Sequence, residues 1–308
     1  MVVAHHYWGF KAGYAGVSFF YVLSGYVLTL NYRDKVGTWS GRRHFWWKRF
    51  ARIYPLHVLT LILSIPIALS RAGWLLNLAL LQSWVPKSSI YFSFNAPSWS
   101  ISNEAFFYAM FPVLLGFLAP ASIKRVSLWA GALALVAVGL AWLAPQSLMD
   151  DPTHFAFYIF PLTRWVEFAF GIAIALCPPK AGGLARELGA LALSAIGLAL
   201  VYADLPGSLS GAMIFWPGAI ALVAVFSTSR GPVARVLSSP TLVLLGDASF
   251  ALYMIHFPLL HYGLASNWMM ALVAIVLSVA LHWWFEKPVQ RWLLSLAPDV
   301  RRPIEVSS

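Results

Sequence analysis

The side chains able to do chemistry in this sequence stand mostly inside apolar runs. His5 and His6 are adjacent in VVAHHYWGF, Glu104 follows PSWSIS, Arg164 and Glu167 fall in PLTRWVEFAFG, and His256 lies in YMIHFPLL, with His261 beyond it. Histidine is the side chain best suited to taking a proton from a hydroxyl near neutral pH. A nearby carboxylate orients such a ring and steadies its imidazolium, and Glu104 is the candidate for that role. Arg164 and Glu167 share one face of a helix. They form either a structural ion pair or a guanidinium site for an oxyanion or acceptor. A lone histidine among apolar residues is more often a satisfied core residue than a base, and the adjacent pair shifts that balance. His57 and His282 read as interfacial, and Asp247 as a helix cap with Ser249. His5 and His6 point in different directions on a helix, so they make no chelating pair, and no metal site is expected.

A second cluster sits in GRRHFWWKRFARIYPLH, residues 41–57. Arg42, Arg43, Lys48, Arg49 and Arg52 alternate there with Phe45, Trp46 and Trp47. Guanidinium groups grip phosphate and indole rings stack on purines, so the cluster suits an anionic ligand carrying an aromatic base. The plainer alternative is topological: basic residues fix the inner end of a helix, and aromatics form the interface belt.

The elements that must position these residues follow from composition. Of 308 residues, 60% are hydrophobic and only 10% charged, and 15 are tryptophan, which excludes an ordinary soluble domain. The formal charge of +10 does not form one soluble patch but punctuates membrane-length segments, which argues against a nucleic-acid partner. The single cysteine, Cys177, excludes an internal disulfide and reads as a packing residue. Candidate spans lie near 14–31, 53–69, 98–118, 126–144, 158–176, 188–203, 212–227, 241–260 and 267–285, while 73–84 is too short and reads as interfacial or re-entrant. With the basic loop 32–52 placed in the cytoplasm, alternate loops and the C-terminal tail collect seventeen of the twenty-one Lys and Arg residues on one side. The expected fold is an all-α polytopic membrane protein of about ten helices, nine of them complete and the first truncated at its start. His5, His6, Glu104, Arg164, Glu167, His256 and His261 then fall in the outer halves of their helices, where one polar cavity can hold most of them.

The motifs also come in a known order. VVAHHYWGF is similar to the outer end of a first helix with its characteristic histidine, and AGVSFFYVLSGYVLTL to the second helix. RRHFWWKRFARIYPLH matches a basic loop ending in Arg-Ile-Tyr-Pro, and PSWSISNEAFFYAMFP a Trp-Ser…Glu…Phe-Tyr signature. RWVEFAFG, ASFALYMIHFPLL and FEKPVQRWL complete the series. Over essentially its whole length the chain resembles the membrane O-acyltransferases called acyltransferase family 3.

The resemblance implies transfer of an acyl group, commonly acetyl, from acyl-CoA to a hydroxyl of a carbohydrate or related acceptor. That acceptor is often an envelope or exported glycan, and sometimes a macrolide-like small molecule. Acetyl-CoA or another acyl-CoA is then a co-substrate, with no bound cofactor and no metal. The family's base falls on His6, with His5 one residue away as the other choice, and Glu104 beside it. Its acyl-CoA contacts fall on Arg42, Arg43, Lys48, Arg49 and Arg52, while Arg164, Glu167 and His256 are left to hold the acceptor or the oxyanion. The family also has an arginine on the inner stretch of its first helix, which would precede Met1 here. The resemblance further implies a single transmembrane acyltransferase domain over 1–308 without an appended soluble domain. It places the protein in a bacterial cytoplasmic (inner) membrane, with 32–52 and the C-terminus cytoplasmic. The alternative from another class is a multispan transporter or flippase that uses buried His and Glu for proton coupling.

Overall fold

The computed structural model describes residues 1–66, 68, 72–118, 154–201, 213–263 and 267–297, with isolated positions between 124 and 135. Among these the chain is helical and contains no strand. A short α1 (Val2–Trp8) ends at Gly9, whose φ of +69° is the left-handed conformation that stops a helix. A turn over Lys11–Tyr14 leads into α2 (Ala15–Tyr32), and α3 (Trp39–Ser64) follows. The short α4 (Trp74–Leu78) and α5 (Ser88–Tyr91) precede α6 (Trp99–Leu118). Beyond a π turn at Phe155–Ile159 come α7 (Pro161–Leu176), α8 (Leu184–Leu200), α9 (Trp216–Phe226) and α10 (Pro232–Leu237). The chain continues through α11 (Pro240–Asp247), α12 (Ser249–Tyr262), α13 (Asn267–Leu281) and α14 (Lys287–Ser295).

Four stretches are long and apolar enough to cross a bilayer: Lys11–Tyr32, Ala96–Leu118, Phe155–Leu176 and Asn267–Ser295. Helices α11 and α12 make a fifth if their 58° bend belongs to one broken span. This is a polytopic membrane protein, and among the described residues four or five helices, not ten, are of membrane-spanning length and apolarity. Helix α8 has 17 residues, Met213–Phe226 is shorter still, and most of the span expected at 126–144 lies outside the described residues. The basic stretch is not a loop either. Thr38 caps α3 by accepting the Gly41 N–H at 3.1 Å, and the helix runs unbroken through all five basic residues and Pro55. Asp247 sits at the bend instead of capping α12, whose start has no side-chain cap.

Helices α2, α6 and α7 form the centre of the bundle. Phe107 on α6 stacks on Phe168 of α7 with ring centroids 5.2 Å apart, and Tyr21 of α2 meets Phe107 edge-on at 5.0 Å. In lipid the hydrophobic effect does not distinguish helix from tail, so association depends on close packing of small residues. Gly25 on α2 lies against the backbone carbonyl of Phe168, and Gly171 on α7 against the carbonyl of Val22. Any Cβ at either position would strike backbone.

The segment 73–98 tests another rule: irregular backbone at membrane depth must be satisfied by protein. Here side chains of the long helices reach across to it. His57 Nε2 donates to the Asn77 carbonyl at 2.8 Å, Tyr54 to Leu78 at 3.1 Å and Ser102 to Leu80 at 2.7 Å. Asn95 returns a bond to the Met254 carbonyl at 2.9 Å. Short helices are what the limited length of 73–84 allows, and His57, expected at an interface, is buried against this segment.

At the other end, buried Glu187 ties α8 to the turn before α10. It accepts from Ser229 Oγ at 2.7 Å and from the N–H groups of Val233 and Ala234, both at 3.1 Å. Burial alone would raise its pKa, but these donors hold the carboxyl below its ordinary 4.5. A depressed carboxyl contributes stability above its unfolded pKa and loses it as pH falls. Acidification below pH 4.5 is therefore expected to destabilise the parent protein more than Glu187→Gln, read from thermal melts in detergent across pH. For the central pair, Gly171→Val is expected to cost about 1–3 kcal/mol or more by overpacking against backbone. Gly116→Ala, which meets nothing within 4 Å, should leave the melting temperature level or raise it.

Candidate active site

Helix α1 is held on α12 and α13 by polar contacts. Tyr7 donates its hydroxyl to the His256 carbonyl at 3.0 Å, and Asn267 donates to the Tyr7 carbonyl at 2.5 Å. This docking brings His6 Nδ1 to 3.0 Å from His256 Nε2, with ring centroids 5.1 Å apart. His256 Nδ1 in turn lies 3.1 Å from the Leu252 carbonyl.

A carbonyl only accepts, so His256 carries its hydrogen on Nδ1 and, when neutral, presents a lone pair at Nε2. That lone pair accepts from His6 Nδ1–H, and the His6 ring also bonds the Val2 backbone. This tautomer places the His6 lone pair on Nε2. His5 is spent differently: its Nδ1 donates to the Phe10 carbonyl at 2.8 Å, and its ring lies between those of His6 and Tyr14, 5.0 Å from each. His261 bonds back to Phe257 within its own helix at 3.1 Å and is exposed.

Glu104 is not joined to His6 among the described residues. Its Oε1 accepts from Ser24 Oγ at 3.0 Å and from the Tyr108 hydroxyl, while its Oε2 is buried without a hydrogen bond. The partner of the first-helix histidine is thus a second imidazole. The adjacency of His5 and His6 suggested a site, but nothing in the local sequence paired either with a residue 250 positions away.

Arg164 and Glu167 form a sealed unit, each fully buried. Arg164 Nε donates to Glu167 Oε2 at 2.7 Å and Nη2 to Oε1 at 3.2 Å. Its Nη1 donates to the Tyr158 carbonyl at 2.9 Å, and Nη2 also reaches Ser18 Oγ at 3.4 Å. The rings of Tyr21, Trp99 and Tyr158 close around the guanidinium at 5.1, 5.8 and 5.1 Å. Trp216 donates to Glu167 Oε1 at 2.7 Å, bringing in α9. The geometry favours the structural member of the two readings open in the sequence.

Helical spacing sorts the basic cluster. Positions 42, 45, 49 and 52 form one stripe of α3, with Phe45 fully buried on it. Arg42 Nε donates to the Val36 carbonyl at 3.0 Å, and Arg49 Nη2 to the Tyr32 hydroxyl at 3.1 Å. Arg52 pairs with Glu286, whose other oxygen lies 3.1 Å from His282 Nδ1, and its guanidinium sits 5.5 Å over the Phe250 ring. His282 is therefore buried in an ion-pair network instead of lying at the interface. Arg43 and Lys48 lie off the stripe, and Arg43 is exposed. Trp46 and Trp47 donate their indole N–H to the Tyr108 and Leu293 carbonyls at 3.0 and 2.8 Å. A cavity of about 430 Å³ lies beside the stripe, lined by Trp46, Arg49, Phe50, Tyr54, Leu80 and Tyr108 among others. The Arg49 Nε at its edge is buried without a hydrogen bond.

Residues 1–287 match the family model described as acyltransferase domain. The chain belongs to acyltransferase family 3. It is an acyltransferase, and this sets aside the transporter reading of the buried histidines. It is 31% identical to the acyltransferase MdmB of Streptomyces mycarofaciens, across 93% of this chain and 84% of that protein. It is 25% identical to the peptidoglycan O-acetyltransferase OatA of Listeria monocytogenes, across 84% of this chain and 47% of OatA. The chain thus spans about half the length of OatA. No solved structure matches it.

The sealed ion pair yields a stability prediction. Removing one partner of a buried pair strands a charge and costs about 3–5 kcal/mol. Arg164→Met and Glu167→Gln are each expected to lower the melting temperature sharply in detergent. The double variant should lose less than the sum of the two. An additive loss would mean that the two side chains act separately.

Proposed function

We propose that this protein transfers an acyl group, acetyl in the simplest case, from acyl-CoA to a hydroxyl of a carbohydrate or related acceptor. The observation that carries the reading is the contact between His6 and His256, which leaves His6 Nε2 as an unprotonated nitrogen of fixed orientation. On this reading His6 Nε2 takes the acceptor hydroxyl proton as the oxygen attacks the thioester carbonyl. The carbon–oxygen bond forms, and the carbonyl electron pair moves onto its oxygen. Collapse of that intermediate breaks the carbon–sulfur bond, and the leaving sulfur takes the proton back from His6. The products are an ester and CoA thiol, and the base is restored. His256 is the positioning residue: it holds the ring in one tautomer and accepts from Nδ1–H throughout.

The donor end falls on the inner stripe of α3. CoA carries several phosphate charges; Arg49 lines an aromatic-walled cavity, and Arg52, paired with Glu286, holds its guanidinium over the Phe250 ring. The basic part of α3 is assigned to the cytoplasmic side of a bacterial inner membrane, where CoA is available. The acceptor then meets His6 from the outer side, which suits an exported glycan. The similarity to OatA, a peptidoglycan O-acetyltransferase, supports that acceptor class.

The test is acetyl transfer from acetyl-CoA by the purified full chain in lipid nanodiscs, against a panel of glycan fragments and macrolides. His6→Ala is expected to lower the rate by about 10²–10⁴-fold, the usual contribution of a positioned base. His256→Gln, which keeps an acceptor near the same place, should retain more activity than His256→Phe. Arg49→Ala and Arg52→Ala should raise the acetyl-CoA KM by about tenfold or more, as loss of a charge-assisted bond does, and by more than Arg43→Ala or Lys48→Ala. A His6→Ala protein working within tenfold of the parent rate would end the proposal.

A further inference from the structure

A second cavity, of about 240 Å³, lies between α1, α2, α6 and α12. Its walls are apolar except at Ser249 and at one point where Ser100 and Tyr253 face in together. Two residues on its lining place it between the two halves of the site. Val2 is one helical turn before His6, and Tyr253 one turn before His256, whose ring lies 6.0 Å from that of Tyr253. At the other end the lining includes Phe250, the ring beneath the Arg52 guanidinium. The volume falls below the roughly 300–1,000 Å³ of pockets that hold whole drug-sized ligands. It suits the thin end of a donor, not its nucleotide.

The polar point has an unusual proton count. Ser100 Oγ is 2.7 Å from the Tyr253 hydroxyl and 3.0 Å from the Pro97 carbonyl, and the Tyr253 hydroxyl is 2.9 Å from that same carbonyl. Three contacts share two hydroxyl hydrogens, because the carbonyl brings none. If Ser100 donates to Pro97, the carbonyl is satisfied and the Tyr253 hydrogen is free to turn into the cavity. Redirecting it strands no buried acceptor. A donor held in place in an apolar cavity is what a developing oxyanion requires.

We infer that this cavity binds the acyl-thioester end of the donor, with the Tyr253 hydroxyl donating to the thioester carbonyl oxygen and Ser100 releasing it to do so. The inference rests on the acyl-CoA reading above and adds the oxyanion donor, a role that sealed Arg164 is poorly placed to fill. In the step already written, the electron pair that moves onto the carbonyl oxygen is met by Tyr253 O–H, and it returns when the carbon–sulfur bond breaks.

The experiment uses the full chain in nanodiscs with acetyl-CoA. Tyr253→Phe is expected to lower kcat by about 10²-fold, as loss of one oxyanion donor does, with the acetyl-CoA KM within threefold. Ser100→Ala ties the Tyr253 hydrogen to the Pro97 carbonyl and should lower kcat by a smaller factor. A Tyr253→Phe kcat within threefold of the parent, or a loss seen only in KM, overturns the inference. If that variant does not fold, parent protein is photolabelled with acyl-CoA bearing a diazirine in the acyl group. Label on Val2 or within residues 16–23, 100–101 or 249–253 supports the cavity, and label elsewhere overturns it. Activity that survives His6→Ala would count against the proposed reaction itself. An essential His6 with label outside the cavity would count against the cavity alone.

Discussion

The interior of a transmembrane bundle offers little water, so polar groups placed there depend on partners in the protein. That constraint organises the structure more than any single hydrophobic contact. It makes His57, Tyr54 and Ser102 donors to the backbone of 73–98, which would otherwise leave carbonyls bare at membrane depth. It also closes Arg164 within a carboxylate, two further oxygen acceptors and three rings. The settlement is not complete: His57 Nδ1, Gln82 Oε1, Asn95 Oδ1 and Asn103 Oδ1 are among the buried atoms without a hydrogen bond. Arg49 Nε and Glu104 Oε2 are also buried without hydrogen bonds, and His6 keeps a lone pair on Nε2 once its tautomer is fixed.

The same chemistry thus serves two ends that sequence alone does not separate. Arg164–Glu167 and His6–His256 are both buried polar pairs. The first pair is bonded across α2, α7 and α9, and so it fixes where helices stand. The second runs in one direction, from the Leu252 carbonyl through two rings, and ends on a free lone pair. A direction and an open end are what proton transfer needs; saturation in every direction is what packing needs. Glu104 falls between these cases. It fastens α2 to α6 through Ser24 and accepts from Tyr108 one turn on within α6, and one of its oxygens remains near the Arg49 side of the bundle.

Much of the architecture was legible because apolar runs of membrane length leave little choice but helix. Helices occur within most of the expected spans that the structure describes, and 73–84 is short, as its length required. The number of full crossings was less legible, since a 17-residue helix and a pair bent by 58° read in sequence like ordinary spans. The basic stretch showed its charges but not its helix. Read as a loop, it gave five equivalent cations; read as α3, it separates an inward stripe from Arg43 and Lys48. The candidate site divided the same way. His5 and His6 announced themselves by adjacency, and Arg164 and Glu167 by their spacing. The pairing of His6 with His256 instead of Glu104 depends on how α1 docks against α12, through Tyr7 and Asn267. No local pattern records that docking.

On the proposed reading the base and the cation stripe lie at different depths of one bundle, with a consequence for how two substrates meet. A phosphate-rich donor is costly to move through an apolar interior, since each charge must shed its water. A protein that joins it to an acceptor on the other side must either carry the charge across or leave the charge behind and admit the uncharged end. The geometry is suited to the second course. The guanidiniums of Arg49 and Arg52 stay with the basic part of α3, whereas the narrow cavity that begins at Phe250 is apolar almost throughout. Only a thin, neutral chain ending in a polarisable carbonyl gains anything from entering it. The reacting carbon would then cross most of the barrier while the phosphates cross none of it, and the bundle would need no large rearrangement between turnovers.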